Sequence, residues 1–514
     1  MQKTFKILSF LIAASLLLCA CGEKAPIKTS KPQKPDVAFI MPNDIISEKD
    51  YMNRVEELCA TKTFTEVDNN FLSKVDDLGN DLKDMIIYNQ DDVAVKGTKY
   101  YVSNTGDDNN DGLTPETAWA TLDKVNGAVF KSGDAVLFER GGFWRGYINA
   151  QSGITYSAYG EGFKPRISLS IDALNNKWIK TNKKNIWEYD YPLPQDIGLI
   201  LFNDGENYGE RKCDSIDNLK QNFDYLHASA LSGVRGTAAN GHIYLYYDGN
   251  NPADTFWSIE LSIPGSVVEL KSDSHDIILQ NLELRLGQDH FFSSRLKNIT
   301  VKYCAMYWTG GHKTTDGVRF GGGGGCWHSC DNLVYEHCYF YQQFDSGVTP
   351  QYVGTDDAPC VYKDFKATAC LFEYCEYPFE YFLTQNNVSG DKFLNTYFGY
   401  NFVRYTGYGF GDKATQSACV KSWSAPNPQE NLVIEKNIFD RPYTRALDMG
   451  AKNDKGEFDF DEMPFMNNNV YISNKGRSLM RLNEQRFIFN EEGYKKLADL
   501  GFETNAVYLF CEKY

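Results

Sequence analysis

The sequence predicts an all-β chain wound as a right-handed parallel β-helix solenoid, with a β-rich insertion and short helical caps. Two observations support this prediction. Short segments rich in Val, Ile, Tyr and Phe recur between turns of Gly, Asn and Asp in the second half of the chain. These segments also carry an Asn or a Cys at one shared phase, at intervals of 23 to 37 residues. Repeats of roughly 20–50 residues are typical of solenoid proteins.

The shared phase defines a column of residues that we expect to stack along one corner of the solenoid. Its members are Asn281, Cys304, Cys338, Cys375, Asn401 and Asn437, with Asn469 as a further member. In a parallel β-helix each coil lies about 4.8 Å from the last, so residues of equal phase form a ladder. A Cys fits the same interior corner as an Asn. We therefore expect the thiols of Cys304, Cys338 and Cys375 to be reduced and buried.

The N-terminus has the pattern of an export signal. Lys3 and Lys6 precede an apolar run over residues 7–18, which is too short to span a bilayer. The ending "LCAC" of residues 1–21 resembles a bacterial lipobox, and this resemblance implies cleavage before Cys21 and attachment of lipid to the Cys21 thiol and its new amino group. An ordinary signal peptide is the alternative. Residues 22–42 are rich in Pro and Lys, as a tether should be. We expect a protein anchored by lipid in the bacterial cell envelope, facing outside the cytoplasm.

Composition narrows the possible partners. The formal net charge is −16, which argues against nucleic acid as a partner, because no basic stripe is present to neutralise phosphates. Aromatic residues make up 14% of the chain, enough for a large core or a sugar-binding groove. Thirteen cysteines are present, and removal of Cys19 and Cys21 leaves an odd number, so a complete disulfide framework is excluded. We expect a monomer whose membrane contact is through the lipid alone.

The remaining segments are assigned from their local patterns. Residues 43–95 carry an amphipathic helical pattern, in "EKDYMNRVEELC" and "NDLKDMIIYNQ". Residues 97–475 hold the solenoid, interrupted at about 170–270 by an insertion of alternating strands with Asp-Gly turns. Residues 476–514 include the helical pattern "NEEGYKKLADLGF" and form the C-terminal cap.

Residues 98–167 carry a family resemblance. A "YYVS" strand, a Gly/Asp/Asn turn, the helix-forming "PETAWATLDKV" and the strand "GDAVLFERGGFWRG" follow one another. This order resembles the start of right-handed β-helix proteins of the pectate-lyase-like superfamily. The resemblance continues through "GVRFGGGGGCWHSCDNLVYEHCYFYQQFDSGVTPQ" and covers most of residues 97–475. The superfamily includes lyases, hydrolases, epimerases and non-catalytic spike proteins, so the resemblance implies the fold and leaves the reaction open.

Three carboxylates near strand ends are the catalytic candidates: Asp345, Glu380 and Asp412. Consecutive coils should place them in a row, at separations that suit glycoside hydrolysis. Carboxylates about 5–5.5 Å apart favour a retaining reaction, and about 6.5–9.5 Å apart an inverting one. We therefore favour a surface-anchored glycoside hydrolase acting on a polysaccharide, with Asp345 and Glu380 as the catalytic pair and Asp412 as a substitute for either.

The substrate is expected in a groove beside the coils of residues 319–445. Aromatic side chains should stack on sugar faces, and polar ones should bond to hydroxyl groups. The candidates are Trp308, Arg319, Tyr341, Gln351, Tyr381, Tyr408, Lys413, Trp423 and Arg441.

Two alternatives remain at this stage. A polysaccharide lyase acting on uronates would need a cation such as calcium, which Asp356 and Asp357 could ligate, and a Lys or Arg as the base. A non-catalytic glycan-binding protein or adhesin is the other. The run Gly321–Gly325 departs from the superfamily pattern, because it supplies no side-chain chemistry where related proteins are more polar.

Overall fold

The predicted all-β parallel solenoid is confirmed by three stacked parallel sheets. The structure is a computed structural model. It describes residues 33–174, 178–212, 215–227, 241–313, 319–352, 358–383, 390–422, 427–450, 459, 463–483 and 485–512. In each complete coil the chain passes through sheet I, then sheet II, then sheet III.

Sheet I is parallel throughout. Its strands are Lys99–Val102, Ala135–Glu139, Thr155–Tyr159, His275–Gln280, Leu296–Lys302, Cys330–Glu336, Val361–Thr368, Lys392–Gly399, Gln429–Glu435 and Phe465–Asn467. Sheet III follows the second bend of each coil. Its strands are Phe292–Ser293, Gly324–Cys326, Ser346–Pro350, Tyr377–Tyr381, Ala418–Ser422, Arg445–Met449, Ser478–Leu482 and the antiparallel Gln485–Ile488.

Sheet II connects the other two. Its parallel strands are Phe143–Arg145, Arg166–Asp172, Glu283–Leu286, Ala305–Thr309, Tyr339–Gln343, Leu371–Glu373, Phe402–Arg404, Ile438–Asp440, Val470–Asn474, Val507–Cys511 and Thr65–Glu66. The insertion extends this sheet in antiparallel fashion through Ile259–Ser262, Ile200–Phe202 and Asn207–Tyr208.

The insertion also has a sheet of its own. Its strands are Trp178–Lys180, Ile186–Tyr189, Ile243–Tyr246, Asp224–His227 and Glu210–Arg211. Two small pairs complete the strands, Ile148–Asn149 with Val268–Glu269 and His312–Lys313 with Arg319–Phe320. Short 3-10 helices lie at Pro115–Thr117, Asn203–Gly205, Ile216–Asn218 and Ala414–Gln416.

The α-helices of the described residues are Glu48–Cys59, Asn69–Ile87, Leu122–Gly127, Pro252–Thr255 and Glu491–Asp499. The Asn69–Ile87 helix begins where the Asp68 side chain accepts from the Phe71 amide, at 2.9 Å. Its buried face, with Leu78 and Leu82, packs on sheet II side chains such as Leu371. No helix in the described ranges is long and apolar enough to cross a membrane.

The interior column of the first bend differs from the predicted one at two places. The sheet I register places Leu282, Cys304, Cys338, Cys370, Asn401, Asn437 and Asn469 in one row. Asn281 is therefore wrong by one residue, because it is the left-handed bend residue itself, with φ of 58°. The predicted member Cys375 lies five residues after the observed member, Cys370. Cys375 follows the second bend, at Tyr374, and not the first bend, at Ala369.

The column is linked by hydrogen bonds from coil to coil. The Cys370 amide donates to Asn401 Oδ1 at 3.0 Å, and the Asn401 amide donates to Asn437 Oδ1 at the same distance. Asn437 repeats this contact with Asn469, whose Nδ2 donates to Glu503 Oε1 at 2.7 Å. Buried amides are thus satisfied by the next rung, and Glu503 ends the ladder.

The cysteines of the solenoid are unpaired and buried, as expected for Cys304, Cys338 and Cys375. Burial raises the pKa of Cys304 to about 12 and that of Cys375 above its ordinary range. Both thiols are therefore neutral in the native state and act as small apolar groups.

Glu503→Gln should stabilise the protein at alkaline pH only. Burial raises the pKa of Glu503 to about 7, so the native state holds its proton more tightly than the unfolded chain does. The stability from this proton is complete near pH 4 and is lost as pH rises through about 7. We expect the variant's Tm to exceed that of the wild type at about pH 8 and to match it near pH 4.

Glu161→Gln, at an exposed position, is the matched control and should leave the Tm difference independent of pH. Equal Tm differences for Glu503→Gln at both pH values would contradict the buried, protonated state of Glu503.

Candidate active site

A pocket of about 590 Å³ lies on the outer face of sheet III. It is lined by Gln288, Asp289, Phe292, Arg319, Phe320, Gly321, Gly322, Trp327, Asp345, Ser346, Thr349, Gln351, Glu380, Phe382 and Lys413. Residues of sheet III alternate between this face and the core. Phe379 therefore points inward to the core, and its neighbour Glu380 points to the pocket.

Among the carboxyl groups that line the pocket, Asp289 has a raised pKa. It is nearly buried, and its Oδ1 accepts from the Gly322 amide at 3.0 Å. Burial, with the nearby Asp345 charge adding to it, raises the pKa of Asp289 to about 6. A carboxyl group with this pKa can hold a proton in mildly acidic solution and release it to a bound molecule.

Arg319 binds three carboxylates at once. Its guanidinium lies 2.6 Å from Asp345 Oδ1, 2.9 Å from Glu376 Oε2 and 2.9 Å from Asp412 Oδ1. It also donates to the carbonyl of Phe344 at 2.9 Å and lies over the Phe344 ring. The planar guanidinium suits such multiple contacts better than an ammonium group would. Arg319 therefore fixes the carboxylate wall of the pocket.

Glu376 and Asp412 respond differently to this shared cation. Burial raises the pKa of Glu376 to about 7 despite Arg319, and the Lys413 amide donates to its Oε2 at 3.1 Å. Burial would also raise the pKa of Asp412, but Arg319 and an ion pair with Lys313 hold it below its usual range. Glu376 lies behind the pocket wall and does not line the pocket.

Glu380 is held between a hydroxyl and an amine. The Ser346 hydroxyl donates to its Oε2 at 2.9 Å, and Lys421 Nζ lies 3.8 Å from its Oε1. Burial lowers the pKa of Lys421, whose amine lies over the Tyr377 ring at 3.7 Å. Glu380 is thus a buried, partnered acid at the pocket floor.

The glycine run contributes through its backbone. Gly321 and Gly322 line the pocket, and the Gly322 amide binds Asp289. A Cβ on Gly324 would lie 2.6 Å from the Tyr335 hydroxyl, and one on Gly325 would lie 2.6 Å from the Phe292 ring. Close packing therefore requires glycine at these two positions.

Five of the predicted site residues line the pocket together: Arg319, Asp345, Gln351, Glu380 and Lys413. Asp412 lies beside them, joined to Arg319. Trp423, Asp356, Asp357 and Cys21 lie outside the described residues. Among the residues that are described, no group of three or more His, Cys, Asp or Glu side chains is placed to hold a metal ion.

The other predicted binding residues are in different places. Tyr381 faces the core beside Phe379 and Phe393, because strand neighbours of Glu380 must point the opposite way. Trp308 and Tyr341 pack on the outer face of sheet II. Tyr381, Trp308 and Tyr341 therefore do not line the sheet III pocket.

Tyr408 and Arg441 also lie away from the pocket lining. Tyr408 is partly exposed and packs edge-on against Tyr443, with ring centroids 5.1 Å apart. Arg441 forms ion pairs with Asp440 and with Asp76 of the Asn69–Ile87 helix. Arg441 therefore joins this helix to the solenoid and is not at the pocket.

Sequence reasoning missed Asp289 and Glu376. Both follow a left-handed residue of the second bend, Leu286 and Tyr374 respectively, by two or three positions. Asp345 follows Gln342, another residue of that bend, in the same way. An acid shortly after the second bend is thus a local signal that could have identified all three.

Comparisons with known proteins give matches of shape only. No family model matches the chain, and no curated protein does. A structure titled "Glycoside hydrolase" is 12% identical to this chain with a TM-score of 0.46. The match covers 75% of this chain and 95% of the other chain. A complex of XylC with xylose is 12% identical with a TM-score of 0.38, covering 80% and 83%. A lacto-N-biosidase of family GH136 from Eubacterium ramulus is 16% identical with a TM-score of 0.31, covering 75% and 65%.

Arg319→Met should destabilise the protein strongly, because Glu376 and Asp345 lose their shared cation in a buried site. We expect the free energy of unfolding in denaturant to fall by about 3–5 kcal/mol. Adding Glu376→Gln to this variant should restore part of the loss, because one buried charge is removed.

Arg295→Met is the control, since Arg295 pairs with exposed Asp273 at 2.8 Å. Its effect should stay within about 1 kcal/mol. Equal effects of the two arginine substitutions would contradict the role given to Arg319.

Proposed function

We propose that this protein is a glycan-active enzyme that hydrolyses glycosidic bonds with two carboxyl groups of the sheet III pocket. Asp289 is the proposed general acid, and Asp345 is the proposed base or nucleophile. The observation that carries the proposal is that one pocket holds two acids in different environments. Asp289 is buried and accepts from the neutral amides of Gly322 and the Gln288 side chain, whereas Asp345 is paired with Arg319.

The role of Asp289 follows from its environment. A glycosidic oxygen leaves readily only if it is protonated, and an ordinary aspartate is ionised well below neutral pH. Its raised pKa of about 6 keeps a useful fraction of Asp289 protonated where the reaction would run. The Gly322 amide fixes one oxygen and thereby orients the carboxyl group.

Asp345 suits the second role because Arg319 holds and orients it through an ion pair at 2.6 Å. Its side chain is 22% exposed and lines the pocket, so it can reach a substrate or a water molecule. Glu380 is only 3% exposed and is bound by Ser346 and Lys421. We therefore replace the predicted pair of Asp345 and Glu380 by Asp289 and Asp345, with Glu380 supporting the pocket floor.

The pocket walls favour a glycan of low charge. Phe292, Phe320, Trp327 and Phe382 provide apolar surface on which sugar faces can stack, between the polar side chains of the lining. Arg319 is already bound by three carboxylates, and the net charge of −16 repels polyuronates. Hydrolysis is therefore favoured over elimination from a uronate.

The N-terminal segment supports a proposal about location. The lipobox-like ending at Cys21 and the following tether would hold the enzyme at the bacterial cell envelope, outside the cytoplasm. An enzyme held there meets polymeric glycans before they are taken up.

Asp289→Asn and Asp345→Asn should each lower kcat by about 10²–10⁴-fold on a natural glycan. On an aryl glycoside, whose leaving group needs no proton, Asp289→Asn should lose much less activity than Asp345→Asn. The wild-type rate should also fall as pH rises above about 6, and Asp289→Asn should lack this fall. Release of reducing ends from a glycan panel measures these rates.

Asp331→Asn, which lies outside the pocket in an ion pair with Lys363, is the control and should be fully active. Full activity of Asp289→Asn on the natural glycan would contradict its role. Ultraviolet absorbance of an unsaturated uronate, formed together with the reducing ends, would identify a lyase instead. Binding of a glycan by the wild type without cleavage would support a non-catalytic glycan-binding protein or adhesin.

Cys21→Ser should release the protein from the membrane fraction, because the lipid can no longer be attached. Metabolic labelling with a fatty acid should mark the wild type and not the variant. Lys34→Ser, a substitution in the tether, should leave both results unchanged. Retention of the Cys21→Ser variant in the membrane would exclude the lipid anchor.

A further inference from the structure

We infer that the insertion holds the Arg319 hairpin and the Asp412 loop in place from outside the solenoid, and that Asp196 is its main positioning residue. The Arg319 hairpin is defined here as strands His312–Lys313 and Arg319–Phe320. The Asp412 loop is defined as residues 405–417. The effect of Asp196 on a reaction rests on the proposed function, whereas the support that the insertion gives to the hairpin and the loop rests on contacts alone.

The first contact is polar and buried. Asp196 forms a two-point ion pair with Arg211, at 2.5 and 3.0 Å, both side chains being less than 10% exposed. Arg211 also donates to the carbonyl of Gly311 at 2.9 Å. Asp196 lies 3.3 Å from His312 Nδ1 and 3.9 Å from His227 Nδ1. Two insertion residues therefore hold the chain where the Arg319 hairpin begins.

The charge states fit this contact. Burial would raise the pKa of Asp196, but hydrogen bonds from His227 and His312 and the charge of Arg211 lower it well below its usual range. Burial lowers the pKa of His312, whose Nε2 lies 3.4 Å from the Ser262 hydroxyl. A neutral His312 can therefore donate from Nδ1 to Asp196 and accept at Nε2 from Ser262.

The backbones approach closely at the same point. A Cβ on Gly311, where φ is +83°, would lie 2.1 Å from the carbonyl oxygen of Gly198. A Cβ on Gly198 would lie 2.5 Å from the carbonyl oxygen of Gly310. The insertion and the start of the hairpin are therefore in direct contact, with no side chain between them to take up a displacement.

The hairpin passes this constraint to the pocket. His312 pairs with Phe320, and Lys313 pairs with Arg319, in antiparallel register. Lys313 forms an ion pair with Asp412, which also binds Arg319. A shift at His312 therefore moves the cation that holds the pocket carboxylates.

The second contact is aromatic and reaches the Asp412 loop. Tyr208 of the insertion packs against Trp308 and Phe410, with ring centroids 5.4 and 6.1 Å apart. Phe410 lies in the loop and packs against Phe344, the residue whose ring lies under Arg319. The insertion thus supports both segments that meet at Arg319.

The test uses hydrogen exchange and kinetics on Asp196→Asn, which weakens the contacts with Arg211 and His312. Exchange should rise at least threefold at amides of residues 310–313 and 319–322 and stay unchanged in the Asn401–Asn469 ladder. With a cleaved glycan, kcat should fall about tenfold at similar KM, and the pH limb near 6 should shift, because the Asp345 charge moves relative to Asp289.

Asp224→Asn is the matched control, because buried Asp224 caps a turn inside the insertion, accepting from the Lys220 and Gln221 amides. It should lower Tm without changing the pH profile or exchange in the hairpin. Tyr208→Leu is a second variant and should raise exchange in residues 405–413. If Asp224→Asn shifts the pH profile as much as Asp196→Asn does, Asp196 contributes only to general stability and the inference is wrong.

The two proposals fail in different ways. If the wild type cleaves no glycan, the proposed function is wrong, and the exchange measurements still decide the positioning. If folded Asp196→Asn and Tyr208→Leu both leave exchange in the Arg319 hairpin and the Asp412 loop unchanged, the positioning is wrong whatever the activity.

Discussion

The ion pairs of Arg319 are the interaction on which the pocket depends. One buried guanidinium joins Asp345 at the pocket surface, Glu376 behind it and Asp412 at its edge. These three acids come from different coils and loops. Their negative charges would repel one another at this distance without a shared cation. Such a cluster costs desolvation energy, and the multiple hydrogen bonds of Arg319 offset that cost. The arrangement also leaves Asp289 near a negative charge, which supports its raised pKa.

The fold was largely predictable because its pattern is repeated. Strand-forming residues with turns between them, and Asn and Cys at a fixed phase, sufficed for the parallel solenoid. The register was harder, because each coil has two left-handed bends and a small buried residue follows both. Cys370 follows the first bend and Cys375 the second, and only pairing with Cys338 and Asn401 distinguishes them. That pairing is long-range and does not appear in any single segment.

The site was predictable only in part, for a geometric reason. Asp345 and Glu380 were found because they lie near strand ends in polar or aromatic surroundings. Tyr381 packs in the core while Glu380 lines the pocket, because neighbouring residues of a strand point to opposite faces. Asp289 was missed because its raised pKa comes from burial beside the Gly322 amide, which belongs to a different coil. Environment sets the protonation of a carboxyl group, and environment is a property of the folded chain.

A structure of the Asp289→Asn variant with a bound oligosaccharide would show directly whether position 289 faces the glycosidic bond. We predict a sugar ring against Trp327, with the glycosidic oxygen about 2.6–3.2 Å from the side chain at position 289. We also predict that the reacting carbon faces Asp345, whose contact with Arg319 is kept. A sugar chain bound on the outer face of sheet I, or one in the pocket whose glycosidic oxygens all lie beyond reach of position 289, would contradict these predictions.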